Sequence, residues 1–310
     1  MNVRSRLPAA QVPPPRTGYL TIGVVGAGRV GAALAAALAR AGHRIAAVSA
    51  SSPANRRRAA ALLPGVPHLP ADRVAGLATD LLILAVPDDA LAGVAAELAA
   101  ARAVRPGQVV AHVSGAHGVA VLAPLADRGV LPLALHPAMT FTGDPGDVAR
   151  LTGGVSFGVT GPPELRPLVQ RLVTALGGTV EWIAEADRPL YHAALAHGAN
   201  HLVTLLNEAL DRLRDAGVVH PEKVLSPLVH AALDNTLRLG DVALTGPVSR
   251  GDAGTVAAHL RTLAAVAPES VAPYRALARR TADRAIVAGR LRATDAEALL
   301  DVLADERSAR

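Results

Sequence analysis

The sequence of 310 residues predicts an α/β doubly wound domain followed by an all-α domain. Strand-like and helix-like segments alternate from Tyr19 to about Ala184, and beyond that point only helical patterns occur. A glycine-rich turn joins the first strand to the first helix. Alternation of this kind places helices on both faces of a mostly parallel sheet.

The first strand is read over Leu20–Val25 and the first helix over Val30–Ala41, ended by Gly42. Ile45–Val48 is the second strand. Leu81–Val86 is a continuous apolar run closed by Pro87, the pattern of a strand buried on both faces. Strands at Val109–Val113, Leu131–Leu135, Val155–Val159 and Thr179–Ile183 complete the series. Arg188–Ala216 reads as one long helix stopped by Gly217, and Pro221–Leu239 as another that uses proline at its start. Helices are also predicted at Ala253–Val266 and Pro268–Ala288. A last one opens at Thr294, where Glu297 would complete a capping box. The domain plan is a disordered tail over 1–18, a dinucleotide-binding domain over 19–185, and an all-helical substrate and dimerisation domain over 186–310.

Composition narrows the function classes. Hydrophobic residues make up 51% and charged ones 18%, a globular balance. Cysteine is absent, which excludes disulfides, thiolate catalysis and cysteine metal sites. No apolar run reaches the roughly 18 residues of a membrane helix, and the tail lacks the apolar core of a signal peptide. A cytoplasmic protein is therefore expected, with no membrane partner. The net charge of +5 is modest and aromatics are only 2%, so base-stacking platforms are scarce and no nucleic-acid partner is expected.

Gly26-Ala27-Gly28-Arg29-Val30-Gly31 is a GxGxxG element with a strand before it and a helix after it. The first glycine permits the tight turn, the second lets backbone approach a pyrophosphate, and the third allows close helix–sheet packing. A dinucleotide is held at such a helix N-terminus. Selectivity is decided at the end of the second strand, where NAD sites carry an acid for the ribose diol. Here Ser49, Ser51 and Ser52 are followed by Asn55-Arg56-Arg57-Arg58, and no carboxylate precedes Asp72. Hydroxyls with Arg56 and Arg57 suit a 2′-phosphate, so the expected cofactor is NADP(H). A solvated helix face is the competing reading of the arginines. Val86 and Pro87, closing the central strand, should border the nicotinamide ribose.

Ser114 and His136 end the next two strands and are candidates to face the reacting carbon, although each also reads as a turn residue. His197, Asn200, His201 and Thr204 share one face of the long helix at α-helical spacing, either as a substrate-facing stripe or as a solvated face. The two histidines lack a neighbouring acid, and no metal is expected. The loop 245–255 offers Ser249, Arg250, Asp252 and Thr255 before a helix, either as a carboxylate-binding loop or as an ordinary N-cap.

The segments GVVGAGRVG, LLILAVPDDA, HVSGA, LHPAMTF and ALTGPVSRGDAGT together resemble a family joining a Rossmann-like domain to a C-terminal helical domain of unknown function. More distantly, the chain is similar to pyrroline-5-carboxylate reductase, ketopantoate reductase, prephenate dehydrogenase and 6-phosphogluconate dehydrogenase. The resemblance covers about residues 19–290. It implies a helical domain like the C-terminal part of 6-phosphogluconate dehydrogenase, a homodimer formed through it, and an NADP-linked oxidoreductase. Where the 6-phosphogluconate and ketopantoate groups carry a catalytic lysine ahead of an asparagine, this chain has His197 ahead of Asn200. The function expected is reduction of a carbonyl or imine of a small carboxylate-bearing substrate, with His197, Asn200, Ser114 and His136 as catalytic candidates. His201, Ser249, Arg250, Asp252 and Thr255 are the substrate-binding candidates. The alternative is a non-catalytic NADP(H)-sensing protein.

Overall fold

A computed structural model describes residues 18–304. The expected tail over 1–18 lies outside the described residues except for Gly18. Contacts divide the chain into two compact units, Met1–His197 and Gly198–Arg310.

The first unit is built on seven strands: β1 (Thr21–Val25), β2 (Arg44–Ser49), β3 (Leu81–Leu84), β4 (Val109–His112), β5 (Leu131–Pro137), β6 (Ser156–Thr160) and β7 (Thr179–Trp182). Their spatial order is β2-β1-β3-β4-β5-β6-β7, and every pair is parallel except β5–β6. The helices of this unit are α1 (Arg29–Arg40), α2 (Pro53–Leu62), α3 (Ala71–Leu77), α4 (Asp88–Ala100), α5 (Ala123–Ala126), α6 (Asp147–Leu151), α7 (Arg166–Ala175) and α8 (Arg188–Leu195).

Central strands alternate strictly between two cores. Ile22, Val24, Leu81, Ile83, Val109 and Ala111 enter one apolar cluster with α1, while Val25, Leu82, Leu84 and Val110 enter the other with α4. All are buried, which is why β3 shows no polar residue at all. The chain leaves β1 toward β2 and returns past it to β3. The resulting crevice at the carboxyl ends of β1 and β3 is the switch point where such sheets take ligands.

The second unit holds α9 (His201–Asp215), α10 (Pro221–Leu239), α11 (Ala253–Val266), α12 (Val271–Val287) and α13 (Ala293–Ala304). Its buried core comes from α11, α12 and α13, through residues such as Val256, Leu260, Ala282 and Leu299. In α9 no residue is buried, and in α10 only Pro221 is.

Two local expectations are corrected. The stretch from Arg188 to Asp215 is not uniformly α-helical, because Ala196–Asn200 forms a π-helical turn. Its wider winding breaks the 100° spacing that put His197, Asn200 and His201 on one α-helical face. The capping box at Thr294 is also absent: α13 begins at Ala293, and the Arg292 carbonyl already accepts from the Asp295 and Ala296 amides. Among the described residues no helix is long and apolar enough to cross a membrane.

Candidate dinucleotide cleft and reactive cluster

A cleft of about 590 Å³ opens at the carboxyl ends of β1 to β4. Gly26, Gly28, Arg29 and Val30 line it from the first turn, Ser51, Asn55 and Arg58 from the β2 side, Ala85 to Asp88 from β3, and Val113 and Ser114 from β4. Gly26 has φ +92°, a conformation that favours glycine, and its amide donates to both the carbonyl and the hydroxyl of Ser49. Ser49 thus clamps the glycine turn and does not line this cleft. Gly31 lies inside α1, pressed on the Gly26 carbonyl and Ala85, and serves packing.

Ser52 caps α2 by accepting from the Asn55 amide at 3.2 Å. Arg56 donates to the carbonyls of Ala50 and Ser51 and borders a neighbouring cavity of about 430 Å³ with Ser49, Ser51 and His68. Arg57 is exposed and lines neither cavity. Arg58, half-buried, donates to Asn55 Oδ1 at 2.9 Å and to the Gly143 carbonyl at 3.5 Å. It ties the cleft wall to the loop after β5. That loop is anchored by buried Asp147, which accepts from the Gly143 amide and from Arg150. Asn55 and Arg58 extend the cofactor candidates read from the sequence. The signal was present, since both lie in the NRRR run.

At the β4 end, buried Ser114 accepts from the amides of Ala116 and His117, leaving its own hydroxyl proton to donate. His112 is fully buried between the Ser114 amide, which donates to Nδ1, and the Gly118 carbonyl, 2.9 Å from Nε2. Burial is the main cause that lowers its pKa to about 4, so it stays neutral and structural.

His136, in β5, meets residues of α8 that sequence reading did not single out. Tyr191 Oη lies 2.9 Å from His136 Nδ1, with the rings edge-on, and the His192 ring stands 6.4 Å away. A Cβ on Gly115 would come within 2.8 Å of His192 and 3.1 Å of His136 Nε2, so only glycine lets both rings close on this turn. Glu185 holds the start of α8 in place by accepting from the amides of Val119 and Ala120. Behind the cluster lies Arg188, fully buried. It donates to Thr160 Oγ1 and to the carbonyls of Ala134 and Gly158, and one guanidinium nitrogen has no hydrogen-bond partner.

His197, Asn200 and His201 are exposed, in or beside the π-helical turn. In the second unit Asp252 caps α11, accepting from the Thr255 amide at 3.0 Å and the Thr255 hydroxyl at 2.7 Å. Buried Ser249 donates to the Gly246 carbonyl, and Arg250 is exposed. The loop therefore has the geometry of an N-cap. Among the described residues no group of three acidic or histidine side chains is placed to hold a metal ion.

Comparison with known proteins agrees with this architecture. Residues 8–137 match the Rossmann-like domain, and residues 155–281 match a domain of unknown function, DUF2520. No curated protein matches the chain. Among solved structures, a provisionally assigned NADP oxidoreductase from Bacteroides fragilis is 22% identical with a TM-score of 0.72, covering 86% of this chain and 98% of that one. A reductive aminase from Aspergillus terreus in complex with NADPH and ethyl-5-oxohexanoate is 20% identical with a TM-score of 0.62, covering 88% and 95%. A pyrroline carboxylate reductase from Plasmodium falciparum with NADP bound is 12% identical with a TM-score of 0.56, covering 90% and 100%. At these identities the likeness is one of fold. The chain joins a Rossmann-like domain to a DUF2520 domain.

Proposed function

We propose that this protein is an NADP(H)-dependent oxidoreductase that reduces a carbonyl or imine of a small substrate. The cleft at the sheet's switch point carries the reading: it combines a glycine turn, the N-terminus of α1 and the Arg58 guanidinium, with no acid at the β2 end. The open face of Gly28, where a Cβ would meet only Asn55 at 3.7 Å, leaves room for a diphosphate against backbone. Ser51 and Arg56, bordering the adjoining cavity, suit a ribose 2′-phosphate. Several solved structures of this fold contain NADP or NADPH, which supports the choice.

NADPH, when bound, supplies a hydride. The chain's own residues supply the rest: Ser114 donates a hydrogen bond at the end of the cleft, and His136 sits against the adjoining Gly115. In the loop 245–255, Ser249, Asp252 and Thr255 are engaged within the loop itself, and Arg250 is exposed.

A homodimer formed through the helical domain belongs to the same proposal. Helix α10 exposes Val224 and Leu228 on one side and Leu233 and Leu237 on the other. A helix apolar on opposite sides is suited to burial, and a second copy of the chain is the covering partner.

Calorimetric titration tests the cofactor reading. NADPH should bind about 100-fold more tightly than NADH, as expected when a phosphate gains charged partners. Equal affinities would refute it. NADPH oxidation with a panel of 2-keto acids and cyclic imines tests the activity. Tight binding of both NADPH and NADP⁺ with no turnover of any member would favour a non-catalytic NADP(H) sensor.

A further inference from the structure

We propose that Tyr191 and His136 form a proton relay in which His136 Nε2–H protonates the substrate heteroatom while Tyr191 refills Nδ1 and buried Arg188 faces the phenolate. This assignment rests on the oxidoreductase reading above and deepens it.

Geometry comes first. Tyr191 Oη is 2.9 Å from Nδ1, so a phenol that donates there leaves the hydrogen of neutral His136 on Nε2. Nε2 lies against Gly115, the neighbour of Ser114, at the end of the cleft. The Arg188 guanidinium carbon is 5.7 Å from the Tyr191 ring centroid.

The protonation states make a relay necessary. Burial first, then the charges of Arg188 and His192, hold the His136 pKa down at about 4; Asp88 opposes this and His112 adds to it. Imidazolium is therefore scarce at neutral pH. A neutral imidazole gives up its Nε2 proton readily only if Nδ1 gains one in the same step. Burial raises the Tyr191 pKa, with the Arg188 charge opposing, so the phenol keeps its proton until the reaction draws on it.

The step balances. As the substrate carbon gains a hydride, the π pair of C=N or C=O moves to the heteroatom. That atom takes the proton from Nε2, the Tyr191 O–H bond breaks, and an N–H bond forms at Nδ1. Water then returns one proton to Nε2 while Nδ1 passes its proton back to the phenolate, which restores the Nε2–H tautomer and the Tyr191 phenol together. The role also accounts for Arg188, a buried cation with an unpartnered nitrogen and donor contacts only to neutral oxygens. A fixed charge of this kind lowers the energy of an anion that exists only during turnover.

The test compares the full-length wild type with Tyr191→Phe by two readouts. Side-chain ¹⁵N NMR should show His136 as the Nε2–H tautomer in the wild type and as a mixture in the variant. A wild-type Nδ1–H tautomer would overturn the relay. Single-turnover NADPH oxidation with pyruvate, whose keto oxygen must gain a proton as the carbon is reduced, should fall about 100-fold in the variant, with NADPH affinity unchanged. The residual rate should rise about tenfold per unit as pH drops from 7 to 5, because only imidazolium can then donate. An unchanged rate, or a fall with an unaltered pH profile, would also overturn the relay. If the wild type binds NADPH but reduces no imine or keto acid, the oxidoreductase reading fails, and the NMR tautomer alone decides the Tyr191–His136 assignment.

Discussion

Gly31 is pressed against the Gly26 carbonyl so closely that a Cβ on it would collide with that oxygen and come within 2.9 Å of Ala85 Cβ. The contact joins α1 to both β1 and β3 at the floor of the cleft. Gly31→Ala should therefore cost about 1–3 kcal/mol of stability, the usual range for overpacking a tight interior. Urea denaturation checks this. A variant as stable as the wild type would mean that the helix can move off the sheet freely.

Arg57 and Arg58 are adjacent in sequence and differ in surroundings. Arg58 lines the cleft and bonds Asn55, while Arg57 is exposed. Arg58→Ala should weaken NADPH binding about tenfold, the effect of losing one charge-assisted contact. Arg57→Ala should leave the affinity within about twofold of the wild type. Calorimetry on the pair separates the two, and equal losses would show that the cluster acts only through its summed charge.

The central strands were legible through apolar runs such as Leu81–Leu84, while β7 was legible through apolar Val180 and Trp182 on either side of Glu181. The glycine turn was legible because its spacing has a steric meaning that sequence alone expresses. The reactive cluster was not. Tyr191 and His192 sit in the first turns of a helix, and nothing local marks them as neighbours of His136, 55 residues away from Tyr191 in the chain. The clue was indirect: Gly115 follows Ser114 at a strand end, where two rings needed space. The stripe from His197 onward stands out in the sequence instead, because its spacing fits an α-helical period where the chain winds as a π-helix. Arg56, Arg57 and Arg58 read alike for a related reason, since a helix turns each residue by 100° and only one of the three faces the cleft.

His112 makes stability depend on pH. Its folded pKa of about 4 lies below the 6.5 of an unburied imidazole, so the unfolded chain binds the extra proton first. Stability is then fully present above pH 6.5 and declines as pH falls toward 4, by about 3 kcal/mol for this one fully buried group. His112→Gln should be less stable at pH 8 and show a flatter profile between pH 7 and 4.5. Urea midpoints measured across that range provide the check. An equally steep slope in the variant would assign the loss to other groups.

The strongest demand for a partner lies in α10. Leu228 is 66% exposed and Leu237 79%, on opposite sides of a helix of 19 residues that buries only Pro221. Fully burying one such leucine stabilises by about 1.5–3 kcal/mol. A helix that leaves both exposed forgoes that gain unless a second copy covers it. Leu228→Asp and Leu237→Asp together should convert a dimer to a monomer, measured by light scattering after size exclusion. Far-UV circular dichroism and NADPH binding should be retained, because the dinucleotide cleft is lined wholly by residues of the first unit. A wild type that is already monomeric at micromolar concentration would remove the dimer from the proposal, and α10 would then need a different partner to cover its leucines.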